Sequence, residues 1–271
     1  SLHDALPICT SGRQRVPHWA FDEIEVLVPP LDEQQRITEV LRSVDETLAC
    51  ISALRIASDA ILTRYRRKVF EPIINDPDDG CRLGDICNIG RGFAFKSEDY
   101  ITKGILNFRV TNIGRPATDI GEQRFLPDRY LREYADYRLY GDEIVLVMVG
   151  ATVGKLGRVP KEICPALLNQ NMWTLSPKSN VDQDTLWHLA HVLIEEKVYS
   201  AQGGAYSFLT KKEFLQHRIG FIDIDALEPH IDVMSGIEAY SRLLASEEIK
   251  IAAARRLLTQ DLLMGRIRVP A

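Results

Sequence analysis

The feature that most constrains this chain is a run of forty residues, Leu31 to Phe70, without a glycine or a proline, bounded by Pro29-Pro30 and by Pro72. Proline is tolerated at helix starts and disrupts helix interiors, so the run predicts one uninterrupted helix. Asp32 is expected to cap its first free N–H groups, with Gln35 three residues on in a capping box. Arg64, Arg66, Arg67 and Lys68 are expected in the last two turns, where the helix dipole favours cations. Ile37, Leu41, Val44, Leu48, Ile51, Ser58, Leu62, Tyr65 and Val69 follow steps of four and three, missing only Arg55. That is a coiled-coil seam rather than a broad core face, and it requires a long partner.

A second helix, His230 to Met264, supplies one. It contains only Gly236, meets no proline until Pro270, and is followed by Gly265, a favourable helix stop. Its seam is read as Ile237, Tyr240, Leu244, Ile251, Ala254 and Leu258. A shift of 196 residues lays Leu31 on Leu227, Leu41 on Ile237, Leu48 on Leu244 and Leu62 on Leu258. Such a period implies a duplicated unit of strand-rich domain followed by helix, of which the first copy has lost most of its domain. Phe21, Ile24, Val26 and Val28 alternate like the last strand of that remnant.

Between the helices the texture changes. Short apolar runs at Ile105 to Val110, Glu143 to Val149, Gly157 to Val159, Met172 to Leu175 and Ile219 to Ile224 are separated by Gly, Asn, Asp and Pro, which predicts a strand-rich α+β domain. Gln183 to Ala201, with Leu186, Leu189, Ala190, Leu193 and Ile194 on one face, predicts one inserted helix.

Several function classes are disfavoured. No apolar run approaches the roughly 20 residues that cross a bilayer, and the N-terminal segment lacks a secretory pattern, so the chain is expected in the cytoplasm. Five scattered cysteines, none in C-x-x-C spacing, read as reduced and mostly buried thiols. Gly150 to Lys155 has three residues between its glycines and Leu156 after the Lys, so it reads as a turn between strands rather than a phosphate loop. His188, His191 and Glu195 share a helix face, but without a third convincing ligand the preferred reading is one exposed and one packed histidine. There is no G-x-S-x-G, no H-E-x-x-H and no methyltransferase motif, so no catalytic residue is assigned.

Polar side chains able to hydrogen-bond base edges, or to meet phosphates, stand among the glycines and aromatics of the middle domain. The candidates are Arg91 and Lys96, beside Phe93 and Phe95; Arg109, Asn112 and Arg115; Lys155; Asn169, Gln170 and Asn171; and Tyr206, Ser207 and Lys211. Against this stands solvation of an ordinary surface. Residues 80–226 hold 18 Lys plus Arg against 18 Asp plus Glu, and the whole chain carries a net charge of −5, which argues against non-specific DNA binding by the whole surface.

The ordered set Val28-Pro-Pro-Leu-Asp-Glu-Gln-Gln-Arg-Ile37, Gly90 to Tyr100, Phe108-Arg-Val-Thr-Asn-Ile113, Gly141 to Lys155, Leu168-Asn-Gln-Asn171 and Gly203-Gly204 resembles the specificity subunit of type I restriction-modification systems. The resemblance implies the remnant end of a first target-recognition domain at 1–30, a spacer helix at 31–72, one complete target-recognition domain at 80–226 and a second helix at 230–266. The two helices would form an antiparallel coiled coil, a ruler of about 60 Å at 1.5 Å per residue. It further implies recognition of half of a bipartite double-stranded DNA site. Catalysis would belong to partners, a methyltransferase subunit using S-adenosylmethionine and an ATP- and Mg-dependent endonuclease subunit, with no cofactor in this chain. With one whole recognition domain, the chain is either the C-terminal part of a longer subunit or a half-subunit that forms a homodimer; the abrupt start favours the first. The competing class is a coiled-coil scaffold that binds protein and has no DNA specificity.

Overall fold

The computed structural model describes residues 28–78, 80–115, 117–178, 181–201 and 210–269. Phe21, Ile24 and Val26 of the expected strand, Gly203, Gly204, Tyr206 and Ser207 fall outside the described residues. In chain order the elements are α1 (Leu31–Asn75), β1 (Cys81–Arg82), α2 (Leu83–Ile86), β2 (Cys87–Arg91), β3 (Ile105–Phe108), β4 (Phe125–Leu126), α3 (Tyr130–Glu133), β5 (Arg138–Leu139) and β6 (Ile144–Val147). They continue with β7 (Leu156–Arg158), β8 (Ala166–Leu168), β9 (Met172–Pro177), α4 (Gln183–Ala201), α5 (Lys211–Gln216), β10 (Arg218–Ile219) and α6 (Ile224–Leu263).

Both long helices exceed their expected bounds. α1 runs through Pro72 to Asn75, so Arg64 to Lys68 are interior and no cation stands in its last turn. At its start Asp32 lies inside the first turn and pairs with Arg36 at 3.0 Å instead of capping. α6 begins six residues before His230, where the Asp223 carboxylate accepts from the Ala226 N–H at 3.1 Å, and it runs through Pro229. Gly265, at φ +65°, ends it as the sequence predicts.

Two compact units make up the chain, Leu54–Ser246 and the described parts of Ser1–Ala53 with Glu247–Ala271. Within the second, the helix segments run antiparallel: Glu33 pairs with Arg268 at 3.2 Å and Asp45 with Arg255 at 2.6 Å, around Ile37 and Leu262. Within the first, the remaining turns are also antiparallel, with Ser241 donating to Asp59 at 2.6 Å and Arg66 meeting Glu238 at 3.3 Å. The α6 seam differs from expectation at two positions. Tyr240 is 47% exposed and Ala254 is exposed, while Ser241 is buried and Arg255 is half-buried. The small hydroxyl and the charged fork reach Asp59 and Asp45 directly, so polar pairing places these residues inward.

The domain in Leu54–Ser246 is built on two four-stranded sheets, ordered β2-β9-β6-β7 and β4-β3-β8-β5. All four residues of β6 are buried, and they divide by alternation. Ile144 and Leu146 join the core shared with α4, Phe70, Ile74 and Met234, while Val145 and Val147 face Leu106, Phe108, Ala166 and Leu168 of the second sheet. The far side of that second sheet packs Leu167 and Leu126 against Phe95 and Tyr130. β1 and β10 pair at Cys81 and Ile219, and Gly220 N–H bonds the Ile73 carbonyl at 2.5 Å, so entry and exit of the domain are tied to the end of α1. Gly80 is required there, because an added Cβ would fall 1.7 Å from the Ile219 carbonyl oxygen. The cysteine expectation is corrected in part: of the four described, all free, Cys87 is buried, Cys81 and Cys164 are half-buried and Cys50 is exposed.

Candidate nucleic-acid interface

The two sheets converge at one edge, and the backbone explains why. After β8 the chain crosses from one sheet to the other in a single turn, Asn169 to Asn171. Asn169 N–H bonds the Phe108 carbonyl of the β3 end at 3.0 Å, and Met148 N–H, just past β6, bonds the Asn171 carbonyl at 3.1 Å. Phe93 N–H, just past β2, bonds the Leu168 carbonyl at 2.9 Å, and Gly92 N–H bonds Met172 at 3.1 Å. Gly92 must be glycine here, since a Cβ would come within 1.9 Å of the Asn169 carbonyl oxygen. The ends of β2, β3, β6 and β8 therefore meet around one turn.

Sequence candidates from separate groups are gathered there: Arg91 at the end of β2, Arg109 just after β3, Lys155 at the close of the β6–β7 hairpin, and Asn169, Gln170 and Asn171 in the turn itself. Arg91, Lys155 and the three carboxamides make no side-chain hydrogen bond or ion pair with a described residue, while Arg91, Lys155 and Gln170 are exposed. Arg115 stands on the adjoining loop, its Nε donating to the Thr111 carbonyl at 3.1 Å. That loop reaches the hairpin directly, since a Cβ on Gly157 would meet Ile113 at 2.4 Å. The Gly150 to Lys155 segment joins antiparallel β6 and β7, as a turn reading requires, and not a strand to a helix.

Other candidates are placed elsewhere or are already occupied. Asn112 is fully buried: its Oδ1 accepts from Arg109 N–H at 2.8 Å, and its Nδ2 donates to the carbonyls of Ile120 at 2.8 Å and Glu122 at 3.1 Å. It closes the loop rather than reading bases. Lys211 donates to the Ile89 carbonyl at 2.8 Å, clipping α5 to β2. Lys96 is exposed and paired with Glu98 at 3.3 Å. Phe93 and Phe95 are not an open stacking surface; they pack with Tyr130, Tyr134 and Tyr137 at ring separations of 4.7 to 6.1 Å.

Sequence reasoning missed Arg124 and Glu122. Arg124 precedes β4, where its carbonyl accepts from Asn107 N–H at 2.8 Å beside the β3 end, and its guanidinium meets Glu122 at 2.6 Å. Read linearly, the two charges cancel; only their position next to Arg109 makes them notable.

The histidines form a different structure. Arg66 is buried, its Nε donating to His188 Nδ1 at 2.9 Å and its Nη2 to Glu238, while Trp187 Nε1 donates to the same carboxylate at 2.8 Å. Because Arg only donates, His188 Nδ1 is unprotonated and Nε2 carries the proton, 3.5 Å from Ser235 Oγ. Burial, reinforced by Arg66, pushes the His188 pKa down to about 3. His191 stands edge-on to Trp187 at 4.3 Å, its pKa is also pushed well down by burial, and its Nε2 is buried without a hydrogen-bond partner among the described residues. Both rings are thus packed, contrary to the expectation of one exposed, and no group of metal ligands is found among the described residues. The network also draws in Arg158 of β7, whose guanidinium lies over Trp187 at 5.0 Å and bonds Asp184 at 2.5 Å.

Comparison with known proteins follows the same residues. The family model described as type I restriction modification DNA specificity domain matches residues 79–221, bracketing the two sheets. The chain is 24% identical over 279 aligned residues to the Type I restriction enzyme MjaVIII specificity subunit of Methanocaldococcus jannaschii, covering 96% of this chain and 66% of that protein. It is 25% identical over 138 residues to the Type I restriction enzyme EcoAI specificity subunit of Escherichia coli, covering 49% of this chain and 23% of that one. The chain therefore spans just under two thirds of the first relative and about a quarter of the second. In fold it is similar to the crystal structure of the type I restriction-modification S subunit from M. genitalium, with a TM-score of 0.60 at 17% identity over 92% of this chain and 66% of that one. A further type I system structure matches with a TM-score of 0.51 at 18% identity, over 97% and 66%.

Proposed function

The chain belongs to the type I restriction modification DNA specificity family, and from that premise we propose that its sheet domain reads one half of a bipartite double-stranded DNA site. The observation that carries this reading is the convergence of Arg91, Arg109, Lys155 and the Asn169 to Asn171 carboxamides at one strand-end edge, most of them without partners among the described residues. Lysine and arginine suit phosphates, and carboxamides and guanidiniums suit base edges, so the edge holds both components of specific binding. A net charge of −5 is compatible with it, because the cations are local. Arg115 belongs to this surface; Asn112 supports it from inside.

In this reading the long helices space the domain from a second one and offer docking faces to a methyltransferase subunit and an endonuclease subunit. Those partners would bring S-adenosylmethionine, ATP and Mg. The second recognition domain comes either from a longer version of the chain or from a second copy.

The test is selection of random duplexes by the chain together with its methyltransferase subunit, read by electrophoretic shift over a salt series. A discrete half-site with steep salt dependence is expected. Binding that ignores sequence would sink the proposal. Charge reversal at Arg109 and Lys155 separates it from a protein-binding scaffold, which would keep its partners and lose nothing.

A further inference from the structure

The described residues of the loop from Arg109 to Arg124 are tied to one another and to the core. Asn112 ties its start to its end through three hydrogen bonds, and Ile113 and Ile120, each 2% exposed, fix it in the core between the sheets. On this frame one carboxylate forms ion pairs with two guanidiniums. Glu122 Oε1 lies 2.6 Å from Arg124 Nη2, and Oε2 lies 3.6 Å from Arg109 Nη1. All three side chains stay accessible, at 30% for Arg109, 50% for Glu122 and 49% for Arg124. Exposed pairs of this kind contribute little to stability. What they bias is direction: a planar fork drawn towards a carboxylate on one side leaves its other N–H donors facing away from it.

Guanine is the base whose major-groove edge offers two acceptors, O6 and N7, spaced for a guanidinium fork. A free arginine must be ordered on binding, whereas one already held by a carboxylate loses less freedom. We propose that Glu122 is a positioning residue that presents Arg109 and Arg124 to guanine in the major groove, making this pair a specificity determinant of the half-site. The inference rests on the DNA-recognition reading above. It also divides the edge, with Arg91 and Lys155 left to phosphates.

The experiment uses the full chain with its methyltransferase subunit and the duplex obtained by random selection. Wild type, Arg124→Lys and Glu122→Gln are each measured on that duplex and on the same duplex carrying 7-deazaguanine, which lacks the N7 acceptor. Arg124→Lys keeps the charge and loses the fork. It should weaken specific binding by about 5- to 150-fold while leaving binding to unrelated duplex unchanged, and Glu122→Gln should do the same more weakly. One 7-deazaguanine position should cost the wild type a comparable factor and cost Arg124→Lys nothing further. Sequence-specific binding that is indifferent to 7-deazaguanine, or equal losses on specific and unrelated duplex, overturns this inference and leaves the DNA-recognition reading standing. Failure of the wild type to discriminate any sequence overturns that reading itself.

Discussion

Two groups of polar side chains in the same unit are used in opposite ways. Around Arg66 the charges are drawn out of water, wholly or in part, and paired: Arg66 with His188 and Glu238, Glu238 with Trp187, Arg158 with the half-exposed Asp184. Around Asn169 to Asn171 the backbone is held at every strand end, while Arg91, Lys155 and the carboxamides meet no described partner. Burial of a charge costs several kcal/mol unless it is compensated, so the first arrangement stabilises the packing of α1, α4 and α6 only while it is complete. The exposed side chains of the second contribute little to folding, and that leaves them available for a ligand. Residue type alone does not separate the two, since arginine serves in both, as Arg66 and Arg158 in the first and as Arg91 in the second.

The comparison breaks most visibly at Arg66. Arg66→Ala leaves Glu238 and His188 facing a cavity, and should lower unfolding free energy in urea by about 3 kcal/mol. A change below about 0.5 kcal/mol would place Arg66 with the surface cations instead. Asn112 should follow. Its residue type and setting in the sequence suit a base contact, but its buried carboxamide makes three hydrogen bonds, so Asn112→Ala should cost about 2 kcal/mol and weaken DNA binding through loss of loop order. Full stability with weakened binding would restore Asn112 to the reading surface.

The Asn112 case shows what the sequence discloses and what it withholds. The helices, the bounds Gln183 to Ala201 of α4 and the β6–β7 turn are legible because periodicity and glycine act locally. The exact α6 seam is not, because Ser241 and Arg255 turn inward to reach Asp59 and Asp45 on a distant segment. The gathering of Arg91, Arg109 and Asn169 is not legible either, since it depends on β3 pairing in parallel with β8 some sixty residues later. Nor does Lys211 differ in sequence from Lys155; only the Ile89 carbonyl within its reach does. Residue type predicts what a side chain can bond, and the fold decides whether that capacity is already used.

The histidines sharpen the contrast by pH. His188 has a folded pKa of about 3, below the value near 6.5 of an unfolded histidine. As pH falls through 6.5 the unfolded chain takes up the proton first. Stability present above pH 6.5 is therefore lost towards pH 3, by up to about 1.4 kcal/mol per pH unit for one such group. His191, shifted the same way, adds to the slope. Urea midpoints at pH 7, 6 and 5 should fall in the wild type and fall less steeply in His188→Gln, whose amide oxygen can still accept from Arg66. Equal slopes would mean that His188 is solvated.

The smallest effect on stability belongs to the edge, and there the two regions should separate most cleanly. Arg91→Ala and Lys155→Ala remove exposed side chains without described partners, so each should leave the urea midpoint within the equivalent of about 0.5 kcal/mol. If each contacts a phosphate, each variant should bind all duplexes more weakly and reduce the slope of log affinity against log salt by about 1, with the preferred sequence unchanged. Gln170→Ala tests the other half of the division: as a base contact it should relax preference at one position and leave the salt slope alone. A Gln170 variant that lowers the salt slope, or a Lys155 variant that changes the preferred base, would exchange those assignments. A double variant at Arg91 and Lys155 whose losses sum shows two independent phosphate contacts, as expected for one side chain on β2 and another in the β6–β7 turn that share no partner among the described residues.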